Sequence, residues 1–144
     1  MRYCTRADIG RAIPEMVLLQ LSSDDPAAQQ PDEAVIEDGV RQAEEMVDGY
    51  LRGRYTLPIE PVPTIVRDAV VYLARYWLYQ RRPEGSDIPE AVKDSRKNTL
   101  KLLESIRDGV ISLGMPDGHA APEPGEIRVR SRKQRFGDRL WEGY

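Results

Sequence analysis

The chain has 144 residues and a mass of 16.4 kDa, which suits one domain and excludes two ordinary ones. Hydrophobic residues make up 40% and charged residues 31%, so a packed core is expected rather than a disordered chain. The net charge of -3 argues against a generic nucleic-acid binder, and no apolar run is long enough for a membrane span. The N-terminus lacks a signal peptide's apolar stretch, and the lone cysteine, Cys4, excludes an intrachain disulfide.

Two short helices are predicted near the N-terminus. Thr5 and Asp8 have the spacing of a capping box, in which a hydroxyl and a carboxylate satisfy backbone N–H groups of the first turn. Pro14 ends this helix near Ala12 or Ile13 and suits the first turn of a second helix over residues 15–21. Residues 22–31 follow as a predicted loop.

A long helix is predicted from about Asp32 to Arg54. Its apolar positions recur every three or four residues and form one stripe: Ile36, Val40, Ala43, Val47, Tyr50 and Leu51. The opposite side carries charged residues: Glu37, Asp38, Arg41, Glu45, Asp48 and Arg52. The neighbouring carboxylates Glu44 and Glu45 are interpreted as a solvated helix flank.

The most apolar predicted helix covers about residues 64–80, after a stiff proline-rich connector at 57–63. Its broad apolar face places it at the centre of a helical body, and its only charged interior positions are Arg67, Asp68 and Arg75. Apolar surface continues around its side through Val71, Tyr72, Tyr76 and Tyr79. This is more apolar surface than a lone body of this size needs. Tyr72, Tyr76 and Tyr79 are therefore predicted to form a subunit–subunit face.

The last predicted helix runs from Pro89 to about Asp108. Its inward stripe is Val92, Thr99, Leu102, Leu103, Ile106 and later Val110, and Gly109 is a plausible C-terminal cap. The predicted fold is all-α, a small bundle of about four to five helices over residues 1–114. Connections within this body are short and local.

The C-terminal part of the sequence differs in composition from this body. Residues 115–125 are rich in Pro and Gly and are predicted to be a hinge. Residues 126–144 carry six basic and three acidic side chains, which leaves 15 basic and 21 acidic groups, net -6, in residues 1–125. The alternation of Ile127, Arg128, Val129 and Arg130 indicates an extended segment that adds a β-strand to a partner. We interpret 126–144 as a docking arm whose contact residues also include Arg132, Lys133, Arg135, Phe136, Leu140, Trp141 and Tyr144.

The sequence offers little support for catalysis. The sole histidine, His119, lies in the hinge, so a Ser/His/Asp or Cys/His mechanism is improbable. No phosphate-binding glycine loop is present, and the acidic loop with Asp24, Asp25 and Asp32 lacks the pattern of a calcium site. Cys4, at a helix start, is either a thiol of lowered pKa or, more commonly, a small core residue. We therefore expect that the chain is not an enzyme and that it has no cofactor and no metal site.

Several segments, spread in order over almost the whole chain, resemble small neck proteins of Mu-like bacteriophages and prophages. The opening segment 1–9, MRYCTRADI, is one of them, and the most specific block is 47–51 with 54–58, VDGYL and RYTLP. Residues 61–63, Asp68, residues 74–76 and the ending 135–140, RFGDRL, add to the resemblance.

This resemblance implies a head–tail connector, also called an adaptor or head completion protein. Such proteins are small and α-helical and form a ring, commonly of twelve subunits, beneath the portal of a DNA-filled capsid. They extend the DNA channel, help retain packaged DNA and bind the next neck or tail component. The chain is then expected in the virion neck, after synthesis and assembly in the host bacterial cytoplasm, without a membrane partner. The alternative is a small cytosolic DNA-associated regulator that uses the basic arm on phosphates.

Overall fold

The computed structural model describes residues 1–82 and 87–115, and within these ranges the chain forms five α-helices and no β-strand. The helices are α1 Arg6–Ala12, α2 Glu15–Ser22, α3 Glu33–Leu51, α4 Thr64–Gln80 and α5 Glu90–Arg107. The predicted all-α fold is confirmed. No helix in the described ranges is both long and apolar enough to cross a membrane.

The helix starts follow from the residues that precede them. Thr5 caps α1 in a complete capping box with Asp8, as predicted. The Asp32 carboxylate accepts hydrogen bonds from the N–H groups of Ala34 and Val35 at the start of α3, 3.0 and 3.3 Å away. α2, α4 and α5 each begin directly after a proline in the N-cap position, where no hydrogen bond within the helix requires the missing N–H.

Helix α4 is the centre of the body and contacts α1, α2, α3 and α5. Its most extensive contact is with α3, where Gly39 allows the ring of Trp77 to approach the helix backbone. A Cβ atom at Gly39 would lie 2.7 Å from Trp77 Cε3, so only glycine fits this crossing without displacement. The fully buried side chains include Ile36, Val47 and Leu78.

The C-terminal boundary of α3 differs from the prediction. The helix ends at Leu51, and residues 52–55 form a turn in which Tyr55 is buried. The connector then runs with cis peptide bonds before Pro58 and Pro61, and Ile59 between them is buried in the core. The helix therefore ends three residues earlier than predicted, and the turn and connector that follow it bring Tyr55 and Ile59 into the core.

The segment after α5 is held against the end of α3. Arg54 Nη1 donates to the carbonyl oxygens of Ile106 and Ile111, 2.6 and 3.2 Å away. The Tyr55 hydroxyl accepts a hydrogen bond from the Leu113 N–H over 3.0 Å. These bonds fix where the chain leaves the helical body.

Two predictions about the end of α5 have different outcomes. Gly109 has a φ of +81° after the helix, which confirms it as the C-terminal cap residue. Val110 is 79% exposed, so its predicted place in the inward stripe is wrong. The left-handed residue at Gly109 changes the chain direction, and Val110 no longer follows the helical period.

Candidate protein-interaction surface

The three tyrosines predicted to contact another subunit lie on one side of α4. They are spaced by four and three residues, which places them on one helix face. Tyr72 is 39% exposed. Tyr76 is half-buried beneath the guanidinium of Arg96, which lies 4.5 Å from the ring centroid, and Tyr79 is half-buried against the core. The structure brings the three residues together, and their contact with another subunit stays a prediction.

Tyr72 stands between two surface grooves. The first, of about 230 Å³, lies between α1 and α4, and the second, of about 340 Å³, lies between α4 and α5. Tyr72 and Asp68 line both grooves. The floor of the second groove is more apolar and includes Ile65 and Leu102. An exposed tyrosine flanked by two concave surfaces is a typical anchor for protein–protein contact.

The groove between α1 and α4 contains three arginines that differ in their ion pairs. Arg11 pairs with Asp8 over 3.0 Å, and Arg67 pairs with Asp68 over 3.3 Å. Arg75 is half-buried, and its Nε atom is buried without a hydrogen-bond partner. The groove therefore presents one cation that the described residues leave without an ion pair.

A second polar cluster joins the N-terminus to α3. Tyr3 is buried; its hydroxyl donates to Asp48 Oδ1 over 2.5 Å and accepts from the Ile59 N–H over 3.3 Å. The Glu44 carboxylate accepts from the backbone N–H groups of Arg2 and Tyr3, 2.5 and 2.9 Å away. Arg2 Nη1 also lies 2.9 Å from Asp48. Burial and the hydrogen bond to Asp48 raise the pKa of the Tyr3 phenol to about 12.

These contacts correct the interpretation of two carboxylates on α3. Glu44 and Asp48 are 3% and 6% exposed, so Glu44 is not part of a solvated flank and Asp48 does not lie on the charged face. Their physical role is to satisfy backbone and phenol donors that the N-terminal segment brings into the core. The sequence carried a signal for this, because both positions continue the period of the buried stripe through Val40, Val47 and Leu51.

The remaining candidates for chemistry have structural roles. Cys4 is buried, and burial raises the pKa of its thiol to about 11, which supports the core interpretation over the lowered pKa. In the acidic loop, Asp24 pairs with Arg81 over 2.9 Å, and Asp32 caps α3. The described ranges contain no cluster of three or more residues able to hold a metal ion.

The predicted docking arm lies outside the described residues. This applies to all of its contact residues: Ile127, Arg128, Val129, Arg130, Arg132, Lys133, Arg135, Phe136, Leu140, Trp141 and Tyr144. The hinge beyond Met115, including His119, lies outside them as well. Their roles stay predictions from the sequence.

Comparison with known proteins identifies the family. Residues 3–131 match the family described as Bacteriophage Mu, Gp36. The chain belongs to this Mu Gp36 family. It is 30% identical over 143 residues to Gene product J of Escherichia phage Mu, covering 94% of this chain and 98% of that protein. It is also 35% identical over 92 residues to the Mu-like prophage FluMu protein gp36 of Haemophilus influenzae, covering 64% of this chain and 62% of that protein.

Membership of the Mu Gp36 family supports a structural or assembly role in a phage. It confirms the resemblance to Mu-like phage and prophage proteins that the sequence segments indicated. The matched residues 3–131 include all five helices of the described structure, and hence the surface around Tyr72.

Proposed function

We propose that this chain is a head–tail connector of the phage neck that forms a ring, commonly twelve-fold, beneath the portal. In this role it extends the DNA channel, helps retain the packaged DNA and binds the next neck or tail component. It assembles in the bacterial cytoplasm and remains in the virion neck. The observation that carries the proposal is the tyrosine-rich face of α4 with its two grooves, found in a member of a phage Mu family.

The surface of α4 supports self-association. Tyr and Arg are the residue types most enriched among those that dominate interface energy, and this face combines Tyr72 and Tyr76 with Arg75 and Arg96. A ring requires two different complementary surfaces on each subunit, because each copy contacts one neighbour on either side. The α4 face supplies one of them. The basic segment 126–144 is proposed to bind the portal or a neighbouring subunit.

The proposed role involves no catalytic step and no cofactor. Cys4 is the chain's only thiol, and with a pKa of about 11 it is protonated at neutral pH. Carboxylates that could act as acids or bases in the core, Glu44 and Asp48, are engaged by backbone and phenol donors. The described residues therefore act through binding in this proposal.

The proposal is tested by complementation of a phage that lacks this gene. We expect the full chain to restore infectious particles, and a chain ending at residue 125 to yield DNA-filled heads without tails, as seen by electron microscopy. The truncated chain should also fail to bind purified portal protein while its circular dichroism spectrum stays helical. Undiminished portal binding by the truncated chain would refute the role of the arm.

The DNA-regulator alternative predicts different results in the same system. Binding of the full chain to random duplex DNA would weaken by orders of magnitude between about 50 and 200 mM salt if the arm contacts phosphates. The phage lacking the gene would then still join heads to tails. Normal particles from that phage would refute the connector proposal.

A further inference from the structure

Arg75 is a half-buried cation that has no ion pair among residues 1–82 and 87–115. Its Nε atom is buried and makes no hydrogen bond, whereas Arg11 and Arg67 in the same groove each pair with an aspartate within the described residues. A buried polar N–H without an acceptor carries a desolvation cost, and a charged group carries a larger one. Arg75 also lines the groove, so a carboxylate that enters the groove from another molecule can pair with the part of the guanidinium that faces it.

The residues that line the groove in front of Arg75 indicate which kind of acceptor can bind there. The groove is open to solvent, about 230 Å³ in volume, and bounded by Val71, Tyr72 and the two paired aspartates Asp8 and Asp68. The aspartates repel a doubly charged phosphate more than a singly charged carboxylate. The guanidinium presents a planar fork of donors that matches a carboxylate. A Glu or Asp side chain is therefore the best-matched ligand.

We propose that Arg75 receives a carboxylate from a second copy of this chain, supplied by Glu37 or Glu45 on the outer face of α3. The contact is head-to-tail, since it joins the α4 face of one subunit to the α3 face of the next. This inference rests on the proposed ring and names the two surfaces that close it.

Helix α3 offers the carboxylates that this contact requires. Glu37 and Glu45 are exposed and make no ion pair with the described residues, whereas Arg41 between them pairs with Asp38 over 2.9 Å. The outer face of α3 is turned away from α4, because α3 buries its other side against α4. One subunit can therefore use both surfaces at once with two different neighbours.

The exposed carboxylates of α5 match Arg75 less well. Asp94 and Glu104 share their helix with three lysines that would repel an approaching arginine: Lys93, Lys97 and Lys101. The acidic balance of the body, net -6 over residues 1–125, means that copies repel each other overall. An ordered contact between copies consequently needs a local cation such as Arg75 facing a local carboxylate.

The test is a charge exchange between the two surfaces in the full-length chain. Self-association is measured by sedimentation velocity and native mass spectrometry for Arg75→Glu, Glu45→Arg, Glu37→Arg and the combinations of Arg75→Glu with each α3 change. Lys101→Glu on the exposed side of α5 is the matched control for a single charge reversal. Circular dichroism and thermal unfolding confirm that each variant is folded.

We expect Arg75→Glu to weaken self-association at least tenfold, which corresponds to about 1.4 kcal/mol per contact, and the control to change it less than threefold. One of the two combined variants should regain most of the wild-type association. Unchanged association in Arg75→Glu, or no recovery in either combination, would refute the carboxylate contact. A wild-type chain that stays monomeric at hundreds of micromolar would also refute it. Phage complementation by the wild-type chain is measured in a separate experiment. The connector proposal therefore does not fall when the Arg75 contact is refuted.

Discussion

The Tyr3 hydroxyl links three parts of the chain through hydrogen bonds, and its removal tests how much these bonds stabilise the fold. It joins the N-terminal segment to Asp48 on α3 and to the backbone of Ile59 in the connector. Loss of a hydrogen bond to a charged acceptor costs about 1.5–3 kcal/mol, and an orphaned buried N–H costs about 1–3 kcal/mol. Because Arg2 still pairs with Asp48, we expect Tyr3→Phe to lower the free energy of unfolding by about 2–4 kcal/mol.

The loss is measured by urea unfolding of the full-length chain, followed by circular dichroism. Tyr72→Phe is the matched control, since Tyr72 is 39% exposed and its hydroxyl makes no hydrogen bond within the described residues. This control should stay within about 0.5 kcal/mol of the wild type. A Tyr3→Phe loss no larger than that of Tyr72→Phe would show that the hydroxyl does not join these segments.

The same residue predicts a pH dependence. The Tyr3 phenol has its pKa raised from 10.0 to about 12 in the folded chain, mainly by burial. Between these values the unfolded chain loses the phenol proton and the folded chain keeps it, so stability falls as pH rises through this window. Tyr3→Phe should flatten the decline between pH 10 and 12 relative to the wild type. An unchanged slope would contradict the assignment.

Three further predictions concern the helical body. Gly39→Ala should destabilise the chain by about 1–3 kcal/mol in urea unfolding, because the added Cβ displaces Trp77. The control is Gly49→Ala, which has open space around it and should be neutral or stabilising by up to about 1 kcal/mol. A thiol reagent at pH 8 should modify Cys4 only at the rate of unfolding, and fast modification of the native chain would contradict its burial. Thr5→Ala should cost about 1 kcal/mol of stability through the lost cap of α1, whereas an unchanged urea midpoint would argue against the capping box.

The positions of all five helices could be predicted because local signals determine them. Thr5, Asp32 and the prolines mark helix starts, and the apolar period marks the side that each helix buries. The helical period indicated that Glu44 and Asp48 border the buried stripe, but their partners could not be predicted, since residues 2 and 3 lie more than forty positions away. A carboxylate beside an apolar stripe is compatible with either a solvated edge or a buried acceptor, and only the tertiary contact decides.

The candidate surface was predictable in part. The sequence indicated that Tyr72, Tyr76 and Tyr79 share a face, because their spacing follows the helical period. It did not indicate the grooves on either side of Tyr72, which depend on how α1 and α5 pack against α4. Arg75 was evident only as a charge in an apolar helix. That its Nε atom makes no hydrogen bond could be seen only from the positions of the neighbouring side chains.

The bonds from Arg54 and Tyr55 to the segment after α5 have a mechanical consequence. A pulling force applied from beyond residue 115 acts on the segment in which the Leu113 N–H donates to the Tyr55 hydroxyl, next to the end of α3. The force is therefore shared with the two carbonyl contacts of Arg54 before it can unwind α5 from its last turn. Traction on the C-terminal segment is thus transmitted to the longest helix in the described part of the chain.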